Sequence, residues 1–113
     1  MPRQSAFDMK LSKVYPLLLQ KVEKKGRTKE ELNTVISWLT GYTLDQIQAA
    51  MEQTYVSFFQ NAPEINPNAV FITGKICGVR VEEIEDPLMQ KIRWLDKLVD
   101  ELAKGKPMEK ILR

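Results

Sequence analysis

The sequence has few residues that bind metals or form cross-links. It contains no histidine and one cysteine, Cys77, which excludes an internal disulfide and any catalytic triad that uses histidine as its base. The usual zinc, copper and haem ligand sets cannot be assembled within one chain either. The sequence therefore predicts no metal site and no cofactor. We expect Cys77 to be a small buried hydrophobe whose thiol stays protonated and reacts slowly.

Long apolar segments are missing as well. The longest unbroken apolar run is 69–72, far shorter than the roughly 20 residues of a membrane-spanning helix. The first residues lack the apolar core of a signal peptide, so we expect a cytoplasmic protein with no membrane partner. Five glycines and six prolines in 113 residues exclude a collagen-like or low-complexity chain. This length fits a single domain over residues 1–113.

The charges are unevenly distributed along the chain. Residues 1–29 carry eight basic and two acidic residues (net +6), whereas residues 30–74 carry five acidic residues and no lysine or arginine (net −5). Residues 75–113 carry nine basic and eight acidic residues (net +1). A basic end and an acidic middle favour a head-to-tail self-contact or a modest anion-binding surface. Solvated faces that differ by chance are the simpler explanation.

The helices on either side of Gly41 have the clearest start signals. Thr28 with Glu31, and Thr43 with Gln46, have the spacing of a capping box, in which side chain and backbone satisfy each other at a helix N-terminus. Apolar residues then follow at helical spacing in both segments. We therefore predict two amphipathic helices that meet at the glycine.

The other helices are predicted from apolar spacing and proline positions. A first helix is expected over residues 12–25 with Pro16 in its first turn, where a missing N–H costs little. Asp86 and Pro87 open a long helix that ends near residue 104. Tyr55, Phe58 and Phe59 indicate a short aromatic helix or the end of the helix after Thr43, with both phenylalanines in the core. A last short turn is expected over residues 108–113, after Pro107. Residues 67–77 are ambiguous, because the Asn-Pro pair at 66–67 favours a helix, whereas a turn at residues 74–75 between two short strands is the alternative.

Two segments of the chain resemble each other. Residues 41–53 align without gaps on residues 78–90, with identical glycine, isoleucine and glutamine at three positions. We interpret this as duplicated helix–Gly–helix units around 28–53 and 66–104, which favours the helix over 67–77. Both glycines are predicted to hold left-handed or close-packed turn positions that link paired helices. The expected fold is all-α, with two related helix-turn-helix units and a long C-terminal helix.

Three groups of residues are candidate functional surfaces. A possible anion or partner surface consists of Lys21, Lys24, Lys25, Arg27 and Lys29. A possible pocket, next to the carboxylates of 82–86, would join Asn66, Arg80 and Glu83. A possible dimer stripe on the long helix consists of Met89, Trp94 and Leu98. Each group also has a simpler structural explanation. Basic residues stabilise the C-terminal end of a helix and acidic residues its N-terminal end, which accounts for the first two groups. A wide apolar stripe, as in the third group, often belongs to the core.

These groups favour a non-enzymatic protein-interaction or self-associating module, with a homodimer or another protein as partner. The alternative is a nucleic-acid-associated regulator that uses the helix-turn-helix-like units and the basic first helix. It is disfavoured because the helix after Gly41 carries Asp45 and Glu52 and no basic residue. An enzyme with a carboxylate site near Glu83 is a third hypothesis, less favoured than either.

Several sequence motifs resemble those of the domain-of-unknown-function 2200 family of small bacterial proteins. The longest is ITGKICGVRVEEIEDPLMQ at residues 72–90, and shorter ones lie at 14–16, 25–28, 38–42, 95–98 and 101–106. The resemblance spans nearly the whole chain. It implies a small, mainly helical cytoplasmic protein and brings no assigned activity, cofactor or catalytic residue.

Overall fold

The computed structural model describes residues 9–76 and 78–112, and this part of the chain is mostly helical, as predicted. Its α-helices are α1 (Leu11–Glu23), α2 (Lys29–Thr40), α3 (Leu44–Ala49), α4 (Tyr55–Gln60), α5 (Pro87–Ala103) and α6 (Met108–Ile111). Two 3₁₀ turns, Pro67–Phe71 and Val81–Glu83, flank an antiparallel hairpin of β1 (Lys75–Ile76) and β2 (Val79–Arg80). None of the described helices has the length and apolarity needed to cross a membrane.

The long helix α5 is the centre of the fold. It packs against α1, α2 and α4, and Ile92, Leu95, Val99 and Leu102, which follow one another at helical spacing, are buried. The α4 residues Phe58 and Phe59 are buried in the same core. A helix covered on several sides must be apolar around much of its circumference, which explains the wide stripe in its sequence.

The predicted helices around Gly41 are confirmed. The Thr28 hydroxyl accepts the Glu31 N–H at 3.2 Å, and the Glu31 carboxylate accepts the Thr28 N–H at 2.9 Å. The same pair of bonds joins Thr43 and Gln46, at 3.2 and 2.9 Å. Gly41 has a φ of 80°, so α2 ends in the left-handed conformation that glycine adopts without a Cβ penalty.

The predicted helix over residues 67–77 is wrong. The chain forms one 3₁₀ turn, becomes extended at Ile72 and enters the hairpin, in which Lys75 faces Arg80 and Ile76 faces Val79. The alternative, two short strands joined by a turn, is confirmed. The position of the turn is wrong, because Lys75 is part of the first strand and residues 74–75 do not form the turn. β-Branched residues favour an extended backbone. The extended Ile72 also has its side chain buried in the core, which holds this segment in place. Cys77 lies outside the described residues, so its inertness stays a prediction.

The second helix-turn-helix unit is therefore also wrong. Gly78 has the predicted left-handed conformation, with a φ of 80°, but it precedes a strand and not a helix. The next α-helix, α5, begins at Pro87, where the Asp86 carboxylate accepts the Leu88 N–H at 2.9 Å. The segment that aligns with α3 forms only the short 3₁₀ turn Val81–Glu83.

The start of α1 also differs from the prediction. The helix begins at Leu11, one residue before the predicted start, and Pro16, its sixth residue, lies in its second turn and not in its first. Backbone contacts from a distant segment set this start: the Leu11 N–H donates to the Gln53 carbonyl at 2.8 Å, and the Ser12 N–H to the Met51 carbonyl at 2.9 Å. Satisfied amides at a helix start act as a cap, and no local sequence signal reveals them.

Candidate functional site

A depression of about 530 Å³ lies on the outward face of α2. The α2 residues that line it are at positions 30, 33, 34, 37 and 38, the three-and-four spacing of one helix face. The first residue of α3 and a residue that follows α6 complete the wall. We call this surface the α2–α3 groove, lined by Glu30, Asn33, Thr34, Ser37, Trp38, Leu44 and Leu112.

The corner between α2 and α3 holds the groove in shape. The Ser37 hydroxyl donates to the Tyr42 carbonyl at 2.6 Å, directly after the turn at Gly41. The buried Tyr42 ring stacks on Phe58 with a centroid distance of 4.5 Å, and its hydroxyl donates to the Phe58 carbonyl at 2.8 Å. The wall of the groove is thus tied to the core, which makes it a rigid surface.

The apolar part of the groove comes from three separate elements. Trp38 on α2 and Leu112 after α6 are half-buried, and the Leu44 side chain at the start of α3 is 48% exposed. Trp38 packs partly against the core and also lines the groove beside the polar α2 residues Thr34 and Ser37. This site is not among the surfaces predicted from the sequence, although an aromatic residue beside the polar face of an amphipathic helix is a signal that could have indicated it.

The groove continues toward α1. A smaller depression of about 40 Å³ shares Asn33 and Leu44 with the groove and includes Tyr15 and Lys29. The Tyr15 hydroxyl donates to the Asn33 side-chain oxygen and thereby joins α1 to α2. Burial raises the pKa of Tyr15, so its hydroxyl remains a neutral donor at physiological pH.

The polar groups of the groove suit binding better than catalysis. The Ser37 and Thr34 hydroxyls donate to backbone carbonyls, the latter to that of Glu30 at 2.8 Å, and neither is paired with a general base. The Glu30 side chain is exposed at the edge. Across residues 9–76 and 78–112, no cluster of three or more potential metal-ligating side chains occurs.

The predicted basic surface is divided by the fold. The Arg27 guanidinium lies 2.9 Å from the Glu31 carboxylate, and the Lys21 ammonium lies 3.8 Å from that of Asp100. The other three lysines, at positions 24, 25 and 29, are exposed around the link between α1 and α2. Two of the five charges are therefore already paired within the chain, which weakens this surface as an anion site.

The predicted pocket residues line none of the three depressions described here. Asn66 caps the 3₁₀ turn by accepting the Asn68 N–H at 2.9 Å, and Glu83 is exposed. Arg80 lies 3.5 Å from the carboxylate of Glu82. Asn66 and Arg80 thus have local partners, and the three side chains line no common depression among those described.

Two carboxylates of the 82–86 segment, those of Glu82 and Asp86, have structural contacts. Glu82 accepts the Gly74 N–H at 3.0 Å, and backbone hydrogen bonds together with Arg80 lower the pKa of Glu82. Asp86 caps α5. Glu82 therefore holds the hairpin, and Asp86 starts the long helix, as the simpler explanation predicts for an acid at that position.

The predicted dimer stripe on α5 is wrong in its main members. Trp94 is only 8% exposed and Leu98 is fully buried within the chain itself, and Met89 is half-buried. The neighbouring helices cover the stripe, so it cannot serve as a free partner surface. Large apolar side chains are exposed elsewhere: Leu17, Leu44, Val70, Phe71 and Val79.

A third depression, of about 400 Å³, lies at the C-terminal end of α5. Lys97, Lys104 and Lys106 contribute to its lining. Lys104 lies 3.1 Å from the Asp100 carboxylate, and Lys106 lies 3.5 Å from that of Glu101. Its positive charge is thereby reduced, and lysines at this end of a helix also complement the helix dipole.

Comparisons with known proteins agree with this fold. A crystal structure of uncharacterized protein SP1917 is similar to the chain at 51% sequence identity, with a TM-score of 0.89 over 98% of this chain and 93% of that one. No curated protein matches the sequence. Residues 5–113 match a family described as uncharacterized protein conserved in bacteria (DUF2200). The chain belongs to the DUF2200 family.

Proposed function

We propose that the protein is a non-enzymatic protein-interaction module and that the α2–α3 groove is its binding surface. The observation that carries this proposal is the joint position of Trp38 and Leu44, two large apolar side chains in one surface depression on a rigid corner. Tryptophan is enriched where partner proteins bind, because it supplies a large apolar area with little conformational freedom to lose.

The charge around the groove indicates the chemistry of the partner. Glu30 lies in its wall and Asp45 follows the wall residue Leu44, in a segment of the chain without lysine or arginine. Neither acid is in an ion pair among the described residues. A segment with an apolar side chain flanked by positive charges fits this surface best.

Site-specific cross-linking tests the proposal. A photoreactive amino acid replaces Thr34, an exposed residue of the groove, and the full chain is irradiated in cells. We expect protein adducts of defined mass that disappear when Trp38→Ala is added. Lys104, exposed in the separate depression at the end of α5, is the matched control position. Absence of adducts at Thr34, or the same adducts from Lys104, would contradict a binding groove.

The alternative, a nucleic-acid-associated regulator, is supported by the exposed lysines at positions 24, 25 and 29. Its support is weaker because α3, in the position of a reading helix, carries Asp45 and no basic residue. An electrophoretic shift of duplex DNA that weakens steeply between low and moderate salt would favour the alternative, since phosphate binding releases counterions.

A further inference from the structure

The exposed face of α1 carries an apolar residue among lysines. Leu17 is 57% exposed, although most leucines of the chain are at least partly covered. Lys13 and Lys21 are four residues before and after it, and Lys24 is seven residues after it, so all lie on the same side of the helix. Lys13 and Lys24 are exposed and are in no ion pair among the described residues.

This face is complementary to the α2–α3 groove in both hydrophobicity and charge. The groove offers Trp38 and Leu44 with the Glu30 carboxylate at its edge, whereas the α1 face offers a leucine with ammonium groups on either side. Lys29 belongs to the smaller adjoining depression and not to the groove itself. The two surfaces therefore have opposite charge around an apolar centre, which is the pattern expected of contacting partners.

We propose that the α2–α3 groove binds the exposed α1 face of a second copy of this chain, with Leu17 of one copy against Trp38 and Leu44 of the other. The inference rests on the proposed function and names its partner. Because α1 and α2 are joined by the Tyr15–Asn33 hydrogen bond, the two surfaces are neighbours on one chain. A two-fold axis then makes the same contact twice and closes the assembly as a dimer.

The repeated contact makes the dimer feasible for a small chain. A stable interface buries about 1,600 Å² in total, so each of the two equivalent contacts has to bury only about half of that. Each contact joins the groove of one copy to the outer face of the 13-residue helix α1 of the other. Opposite charges on the two surfaces also direct the chains toward each other before contact.

Sedimentation equilibrium of the full chain tests the assembly. We expect the mass of two chains at roughly 50 µM and about 50 mM salt, with a dissociation constant that rises about tenfold at about 500 mM salt because the charges are screened. The mass of one chain at low salt, or the mass of larger open assemblies, would overturn the closed dimer. A single-chain mass together with groove adducts to another protein would overturn this inference and leave the proposed function standing.

Single substitutions at exposed positions test which surfaces meet. Leu17→Glu and Leu44→Glu should each raise the dissociation constant at least tenfold, because each places a charge in an apolar contact. Val70→Glu, at another exposed apolar side chain, is the matched control and should leave the constant unchanged. An unchanged far-ultraviolet circular dichroism spectrum checks the fold of each variant, since loss of a dimer by itself lowers the melting temperature, and Leu17→Gln replaces Leu17→Glu if the latter unfolds.

Mixing the two variants tests the pairing itself. In a mixed dimer, the intact groove of the Leu17→Glu chain can bind the intact α1 face of the Leu44→Glu chain, so one of the two contacts is native. We expect the mixture to form dimers at concentrations where each variant alone is monomeric. If the mixture stays monomeric, or if the single variants dimerise as tightly as the unsubstituted chain, groove and α1 face do not contact each other.

Discussion

The segments that follow Gly41 and Gly78 are similar in sequence and differ in structure. Both glycines have a φ of 80°, yet the first joins two α-helices and the second joins two strands. Their surroundings also differ: a Cβ at position 41 would lie 2.8 Å from the Glu64 carbonyl oxygen, whereas one at position 78 would meet nothing within 4 Å. A shared turn conformation therefore does not determine the elements that it connects.

The difference is explained by the residues at the element boundaries. Capping boxes begin the helices on both sides of Gly41, so each helix is specified locally. The segment before Gly78 has an Asn66 cap but then a run of β-branched and aromatic residues at 70–73, and it becomes extended after one 3₁₀ turn. Helix caps thus predicted the structure better than the alignment of the two segments did.

The largest expected effect is the loss of stability in Gly41→Ala, which should exceed the loss caused by the same change at Gly78. Gly41→Ala should destabilise the protein by about 3 kcal/mol, because it combines left-handed backbone strain with a clash against the Glu64 backbone. Chemical denaturation of the variant measures this loss. A loss below that of the corresponding change at Gly78 would contradict the close packing of this corner.

Gly78→Ala should have a smaller effect. The same positive φ leaves a strain of about 1–2 kcal/mol, but no neighbouring atom has to move. Gly78→Asn is the matched control, since asparagine tolerates the left-handed region and should recover part of the loss. Equal stability of the alanine variant and the unsubstituted chain would show that this turn can change its conformation freely.

The capping boxes are expected to contribute less than Gly41. Thr43→Ala removes the acceptor for the Gln46 N–H and should destabilise the protein by about 1 kcal/mol. Thr43→Ser retains the hydroxyl and serves as the control. Because the cap is lost, the alanine variant should also show faster amide exchange at the start of α3, the helix that forms one side of the groove. Unchanged exchange would mean that the core, and not the cap, holds this helix.

The smallest expected effect is on the pH dependence of stability. A backbone hydrogen bond from Thr28, assisted by Arg27, lowers the pKa of Glu31, so its stabilising contribution is present above its ordinary pKa and is lost as the pH falls through the lowered value. Glu31→Gln keeps a capping side chain without the charge and should reduce the loss of stability in acid. Urea denaturation at a series of pH values measures the change.

Asp96 on α5 is a control whose pKa is shifted in the opposite direction from that of Glu31. Burial raises the pKa of Asp96 despite the neighbouring Arg93, so the folded chain holds this proton more tightly than the unfolded chain. Stability therefore falls as the pH rises from its ordinary pKa toward the raised value. Asp96→Asn should remove that fall and steepen the net loss of stability in acid. A shallower acid loss would contradict the assigned direction.

The parts of the fold with local signals could be predicted from the sequence. Threonine caps, the Asp86 start of α5 and the apolar spacing of Leu95 and Val99 were sufficient, because each signal acts within one or two helical turns. The groove could not be predicted in the same way. Its wall is formed by α2, the start of α3 and Leu112, and no sequence pattern indicates that these three segments lie close together.

The sequence by itself determined a mostly helical chain, the helices on both sides of Gly41 and the long helix that forms the core. Tertiary structure decided the early start of α1, the hairpin before α5 and the burial of Trp94 and Leu98. The reason is physical. Caps and periodicity are short-range properties of consecutive residues, whereas burial, and the carbonyls of 51 and 53 that begin α1, depend on segments brought together only by folding.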